Sequence, residues 1–437
     1  MPRFIKSPLA FVREVTRDYG DIARIGAIGG RHAFLLSRAS HVQHILQENN
    51  RNYIKGDNFK EIKLIVGDGL VITEGEDWRR QRRLMQPAFH RQKIRDLVGS
   101  MASVVGQVRD QWAAHSLTSR EPMDISSEMM KLTQRVMLRA LLSVETEAAN
   151  AELMAAWDEV HGFLTSRLFT LVNLPVALPL PSHIRFRRAM KTLDDAVAEI
   201  LAQRHCARNG EGPADLLSLL LAARDEATGT GMSDQELRDE VMTIFAGGFE
   251  TTAVVLAWAW LLLARHPEVQ EKLAAEVSSV LEGRAPTSED IPRLKYTKMV
   301  IEETMRLYPG AWIFTRTNLE ADTIGGYSIP KGSILFLCAY ATHRHPEIWK
   351  DPESFDPERF AEASSDRPRY AFYPFGGGPR QCIGETFAMV EMQLVLSMMT
   401  QRFELRPEAG LEVEPEPLFT LRSSPAIRML LIPREKR

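Results

Sequence analysis

The chain has 437 residues, 44% of them hydrophobic and 25% charged, with a net charge of −3. That is an ordinary large globule, with no charge surplus for holding nucleic acid or an anionic membrane surface. Three cysteines, Cys206, Cys338 and Cys382, are odd in number and far apart, which argues against a disulfide framework and for a reducing cytoplasm.

In chain order, the opening MPRFIKSPLAFVREV lacks the continuous apolar run of a signal peptide. DIARIGAIGGRHAFLLS (21–37) predicts a hairpin turning at Gly29 and Gly30. Helical periodicity covers Arg79 to about Arg139, Ala149 to Arg167 and Ile184 to Arg208. Between the last two, LFTLVNLPVALPLP (168–181) is apolar but broken by three prolines, which suits a lid or a surface-dipping loop. Ser233 and Glu236 form a capping box that opens a helix reaching Ala264. Roughly 50 Å long at 1.5 Å per residue, and apolar nearly all round, such a helix belongs at the centre. Its apolar stretch AVVLAWAWLLLA (253–264) is too short to cross a bilayer, which takes about 20 residues. SILFLCAYA (333–341), after a Pro-Lys-Gly turn, predicts a buried strand. The fold expected is mainly α with small β-sheets, in one domain spanning 1–437.

Four constellations carry chemistry. AGGFETT (246–252) puts two glycines, a glutamate and two threonines into one turn of the apolar helix, and each is unfavourable there. Either the helix tolerates a kink, with Thr251 bonding back to a carbonyl one turn earlier, or a widened groove receives a carboxylic acid and a hydroxyl for moving protons. EETMR pairs Glu303 with Arg306 at i, i+3, and FDPERF (355–360) offers Arg359 to complete a buried charge network. EDWRRQRR (76–83) sets Trp78 and Arg82 on one helix face and Arg79 and Arg83 on the next. Such a run is either a solvated surface or a grip on a carboxylate at the rim of a flat apolar ligand. FGGGPRQCIG (375–384) is a glycine-rich loop carrying Cys382. The thiol could be a small buried hydrophobe, a nucleophile, or the single axial ligand of a haem; alone it cannot build a tetrahedral zinc site.

Taken together, these residues resemble the cytochrome P450 family, in its soluble bacterial form. Phe375, Gly378, Arg380, Cys382 and Gly384 match the family's haem-binding signature F-x-x-G-x-R-x-C-x-G. Glu250 and Thr251 resemble its acid–alcohol pair, and Glu303, Arg306 and Arg359 its structural charge triad. The motifs fall in family order from about Pro8 onward.

The resemblance implies haem b (iron protoporphyrin IX) as cofactor, with Cys382 as its thiolate iron ligand. Trp78, Arg82, Arg316 and Arg380 would hold the haem carboxylates, and Gly247 and Gly248 would leave room for O2. The glycines of the signature would let the loop pass close under the porphyrin. Glu250 and Thr251 would relay protons while one oxygen atom enters an apolar substrate such as a fatty acid, terpenoid or polyketide. Val71, after the glycine-flanked turn GDGL (67–70), would line the substrate pocket with Ala311 and Ile313. The family often begins with a proline-rich segment, and this chain starts just past that point. It ends about 50 residues after Cys382 with no fused reductase, so electrons would come from a separate ferredoxin or flavodoxin steered by Arg79 and Arg83. The competing functions are a peroxygenase or an isomerase on the same fold, and a haem-binding sensor without turnover.

Overall fold

Residues 4, 6–56, 59–143, 147–168, 173–206, 215–226, 228–361 and 366–434 are described by the structure, a computed structural model. Proline at its first position opens α1 (Pro8–Tyr19), which buries Leu9, Val12 and Val15 on one stripe. The hairpin follows as β1 (Ile22–Ile28) and β2 (Arg31–Leu36), paired Ile28 to Arg31. Gly29 and Gly30 have φ of 54° and 78°, the left-handed pair that a tight two-residue turn requires. Then come β3 (Tyr53–Lys55), α2 (Phe59–Val66) and α3 (Gly75–Met85).

The long helical stretch expected from 79 to 139 is divided into α3, α4 (Arg91–Thr118) and α5 (Ile125–Leu142). Pro87 falls in the first gap and Pro122 in the second, where each would cost a backbone hydrogen bond if the helix continued. α6 (Glu147–Leu168) and α7 (Pro181–Cys206) match the expected pair closely. Part of their connection, 169–172, lies outside the described residues; beyond it Leu174, Leu178 and Leu180 are exposed.

The central helix has the predicted capping box at Ser233 and Glu236, but it is two helices, α8 (Asp234–Gly248) and α9 (Glu250–Arg265). They meet at Phe249, inside the run of helix-averse residues. Every residue from Thr252 to Leu263 is buried. Trp258 stacks on Tyr308 at 3.9 Å between ring centroids and donates from Nε1 to the Leu421 carbonyl at 2.8 Å. Burying such side chains stabilises the fold by about 1.5–3 kcal/mol each. Among the described residues, 234–265 is the one helical stretch long and apolar enough to cross a bilayer, and 72% of its most apolar window is buried inside the protein.

α10 (Lys295–Leu307) leads to β4 (Phe314–Asn318) and β5 (Ile334–Leu337). β5 is shorter than the predicted strand, because a one-turn helix starts at Ala339. β4 and β5 join the first three strands in a five-stranded sheet, β1-β2-β5-β4-β3, in which only β2 and β5 run parallel. The chain closes with α11 (Glu385–Thr400), two strands of a small three-stranded sheet, and the hairpin β6 (Glu414–Pro417) and β7 (Leu421–Ser424).

Candidate active site

Glu303 on α10 is wholly buried with Arg306: Nε and Nη2 of the guanidinium donate to the two carboxylate oxygens at 2.6 and 2.7 Å. Arg306 spends its remaining donors on the carbonyls of His343, Pro352 and Ser354, so all five guanidinium hydrogens are used. Arg359 Nε lies 3.4 Å from Glu303 as a charge contact rather than an aligned hydrogen bond. The expected network forms, and it braces the segments ahead of the cysteine loop.

That loop turns through Gly376 and Gly378, with φ of 69° and 65°, and closes with the Cys382 N–H donating to the Phe375 carbonyl at 2.9 Å. A Cβ at Gly378 would fall 1.8 Å from the Leu46 carbonyl oxygen, and one at Gly377 2.2 Å from the Tyr370 ring. Gly377 and Gly378 therefore admit other parts of this chain, whereas Gly376 and Gly384 border the cavity described next.

Cys382 borders a cavity of about 350 Å3. Its side chain is solvent-accessible on that side and surrounded by protein on the others. Burial raises the thiol's pKa, opposed by the backbone N–H groups of Gly384 and Glu385 and by the Arg82 guanidinium. As a bare thiol it is a poor nucleophile. Among the described residues no cluster of three or more His, Cys, Asp or Glu could complete a conventional metal site.

Val71, Trp78, Arg82, Gly247, Gly248, Thr251, Ala311, Arg316, Phe375, Arg380 and Gly384 border the same cavity. Sequence alone did not single out Lys55, Phe59, Thr243 or Phe314, which border it too. Ile313 does not. The chain bends at Gly310 and Ala311 ahead of β4, and Ile313 packs instead against the cluster of Leu9, Val12 and Trp312.

The cationic rim is arranged differently from a simple Trp–Arg stripe. Trp78 carries Arg380 over its ring, 4.0 Å from the centroid, while Arg82 donates to the Gln381 carbonyl at 3.0 Å. Arg380 pairs through Nη2 with Glu74, yet its buried Nη1 has no partner. Arg316 is buried, and burial pushes it down to about 10. Arg79 pairs with Glu76, and Arg83 pairs with Asp225 at 2.9 Å.

At the helix break, the Gly247 and Gly248 carbonyls accept the hydroxyls of Thr251 and Thr252 at 3.0 and 3.2 Å. This is the back-bonding of the kink reading, at the break between the two helices. A Cβ at Gly247 would meet open space, whereas one at Gly248 would strike Met137 Cε at 2.2 Å. Gly248 thus lies against Met137 as well as bordering the cavity.

Glu250 does not point into the groove beside Thr251. Neighbours on a helix diverge by about 100°, and Glu250 is buried on the far side. It accepts from Thr420 at 2.7 Å and Arg422 at 2.8 Å, and contacts His161 on α6 at 2.9 Å. Burial alone would raise its pKa, but the His161 hydrogen bond and the charges of His161 and Arg422 outweigh it, holding Glu250 at about 2. At neutral pH it is an ionised anchor.

The family model for cytochrome P450 matches residues 3–429. This chain belongs to the cytochrome P450 family. It is 38% identical to cyclooctatin synthase of Streptomyces melanosporofaciens, over 98% of this chain and 92% of that protein. It is 33% identical to pentalenene oxygenase of Streptomyces avermitilis, over 99% and 94%. The crystal structure of the cytochrome P450DA heme domain superposes with a TM-score of 0.89 at 25% identity, covering 98% of this chain and 93% of that one. This P450 is therefore a monooxygenase with haem b as its cofactor. The cavity fits that group: a lone thiol on its wall, the unpartnered Arg380 Nη1 and further cations suit a flat apolar ring bearing two carboxylates.

Proposed function

We propose that this P450 oxygenates an apolar, terpenoid-like substrate, with Cys382 as the iron ligand. The carrying observation is one mainly apolar cavity bordered by Cys382 on its loop and by Gly247 and Thr251 on either side of the α8–α9 break. Arg82, Arg316 and Arg380 would hold the haem carboxylates, with Trp78 keeping Arg380 in place. Phe375 and Gly384 would flank the thiolate. Bound there, thiolate-ligated haem supplies O2 activation. Val71 and Ala311 would face the substrate. The names of the relatives, cyclooctatin synthase and pentalenene oxygenase, favour a terpenoid over a fatty acid or polyketide.

Thr251 would present a proton at Oγ1, which donates to the Gly247 carbonyl at 3.0 Å and can turn toward the cavity. Glu250 would act from behind the helix, where Arg422 and His161 link it toward the surface. A panel of cyclic terpenes, fatty acids and polyketides should shift the haem spin state, the terpenes most. Thr251→Ala should retain that shift while diverting most reducing equivalents to hydrogen peroxide. A panel in which only fatty acids bind overturns the substrate class; unaltered product per electron overturns the role of Thr251.

A separate ferredoxin or flavodoxin would deliver electrons in the cytoplasm. Arg79 and Arg83 are less available for steering it than their sequence suggests, since each already has a carboxylate. Past the end of α3, Arg91, Lys93 and Arg95 at the start of α4 are exposed and, among the described residues, make no ion pair. Exposed charges act on encounter rate and are screened beyond about 8 Å at physiological salt. Reversing Arg91 and Arg95 to glutamate should slow reduction at low salt far more than at high salt. Equal slowing at both would indicate a folding defect and exclude steering.

A further inference from the structure

Lys55, the last residue of β3, pairs in register with Arg316 on β4 and borders the cavity. Its ammonium donates to two consecutive backbone carbonyls, Leu70 at 3.3 Å and Val71. It also lies 5.6 Å from the centre of the Phe59 ring. Phe59, Leu70 and Val71 all border the cavity, so every one of these contacts is with its wall. The same wall is fixed from its other side by α8. Asp68 and Leu70 donate their N–H groups to the Asp239 and Glu240 carboxylates at 2.9 and 3.0 Å. A Cβ at Gly67 or Gly69 would collide with Asp239 or Thr243, which is why GDGL carries glycine at both positions.

The N–H groups of this segment are thus held by α8, and its carbonyls by Lys55. A cation is a costly choice for that task. Burial and the nearby Arg380 guanidinium push Lys55 down to about 7, and Arg316 adds to the repulsion. Purely apolar packing would avoid that cost, but it would leave the two carbonyls without a donor.

We propose that Lys55 is a positioning residue for substrate specificity: by clamping the Leu70 and Val71 carbonyls and the Phe59 ring, it sets how closely the cavity wall grips an apolar ligand. This rests on the reading of the cavity as the haem and substrate site. It differs from a role in holding the haem carboxylates, which would affect every ligand of the iron alike.

The test uses haem-loaded wild type, Lys55→Met and Lys55→Arg with two iron-binding probes, imidazole and 4-phenylimidazole, read from the haem spectrum. Bound at the iron, imidazole would stay clear of the wall, and the added phenyl group would extend toward it. Lys55→Met should weaken 4-phenylimidazole roughly threefold to tenfold, the worth of one hydrogen bond, and leave imidazole within about twofold. Lys55→Arg, which keeps charge and donors, should restore the selectivity between the probes. Equal weakening of both, an unchanged ratio, or loss of haem from Lys55→Met would overturn the proposal. A wild type that binds neither probe would instead overturn the reading of the cavity.

Discussion

Cys382→Ser should abolish the red-shifted Soret band that a thiolate-ligated haem gives when reduced under carbon monoxide. Serine is nearly isosteric, and the loop is held by features the substitution leaves alone: the Cys382 N–H to the Phe375 carbonyl, and the left-handed glycines 376 and 378. The effect should therefore be a change of ligand with little change of fold. Burial raises the thiol's pKa in the protein alone, so Cys382 would be held ionised by a bound iron, and a hydroxyl, harder still to ionise, would not follow. Complete loss of the band with a melting temperature close to wild type is the expected result. An unchanged band would overturn the assignment of Cys382 as ligand.

The cysteine loop was legible because its chemistry is local: ten consecutive residues carry the turn, the thiol and the arginine. The hairpin at Gly29 and Gly30 and the capping box at Ser233 were readable for the same reason. Glu250 shows where this stops. Its neighbour Thr251 borders the cavity, but the direction of Glu250 depends on Thr420, Arg422 and His161, which lie far away in sequence. Lys55 and Glu74 gave no signal for a similar reason. A lysine at a strand end and a glutamate before a helix are unremarkable until folding brings Arg380 and Arg316 to them. Ile313, grouped with Ala311 by resemblance alone, lies past the bend at Gly310 and Ala311 and packs against Leu9, Val12 and Trp312 instead. Gly248 borders the cavity, but its contact with Met137, more than a hundred residues earlier, could not be read from the helix alone.

Arg306→Leu should be among the most destabilising substitutions in the chain, costing about 3–5 kcal/mol, as expected when one partner of a buried ion pair is removed. Leucine would leave the wholly buried Glu303 without its guanidinium, and the His343, Pro352 and Ser354 carbonyls without theirs. Against a typical total stability of about 5–15 kcal/mol that is a large share. Arg306→Lys should recover little, since three donors on one nitrogen cannot replace five in a planar fork. At roughly 2.1 cal/mol/K per residue of unfolding entropy, the loss should lower the melting temperature of the haem-loaded protein by roughly 3–6 °C. The double variant Glu303→Leu with Arg306→Leu discriminates between two accounts of the pair. If the dominant penalty is the uncompensated carboxylate, the double variant should melt above the single one, because it removes that buried charge. If the three carbonyls matter more, the two should melt together. A single variant within about 1 °C of wild type would show that the charge network does not hold the fold in the way its saturated geometry implies.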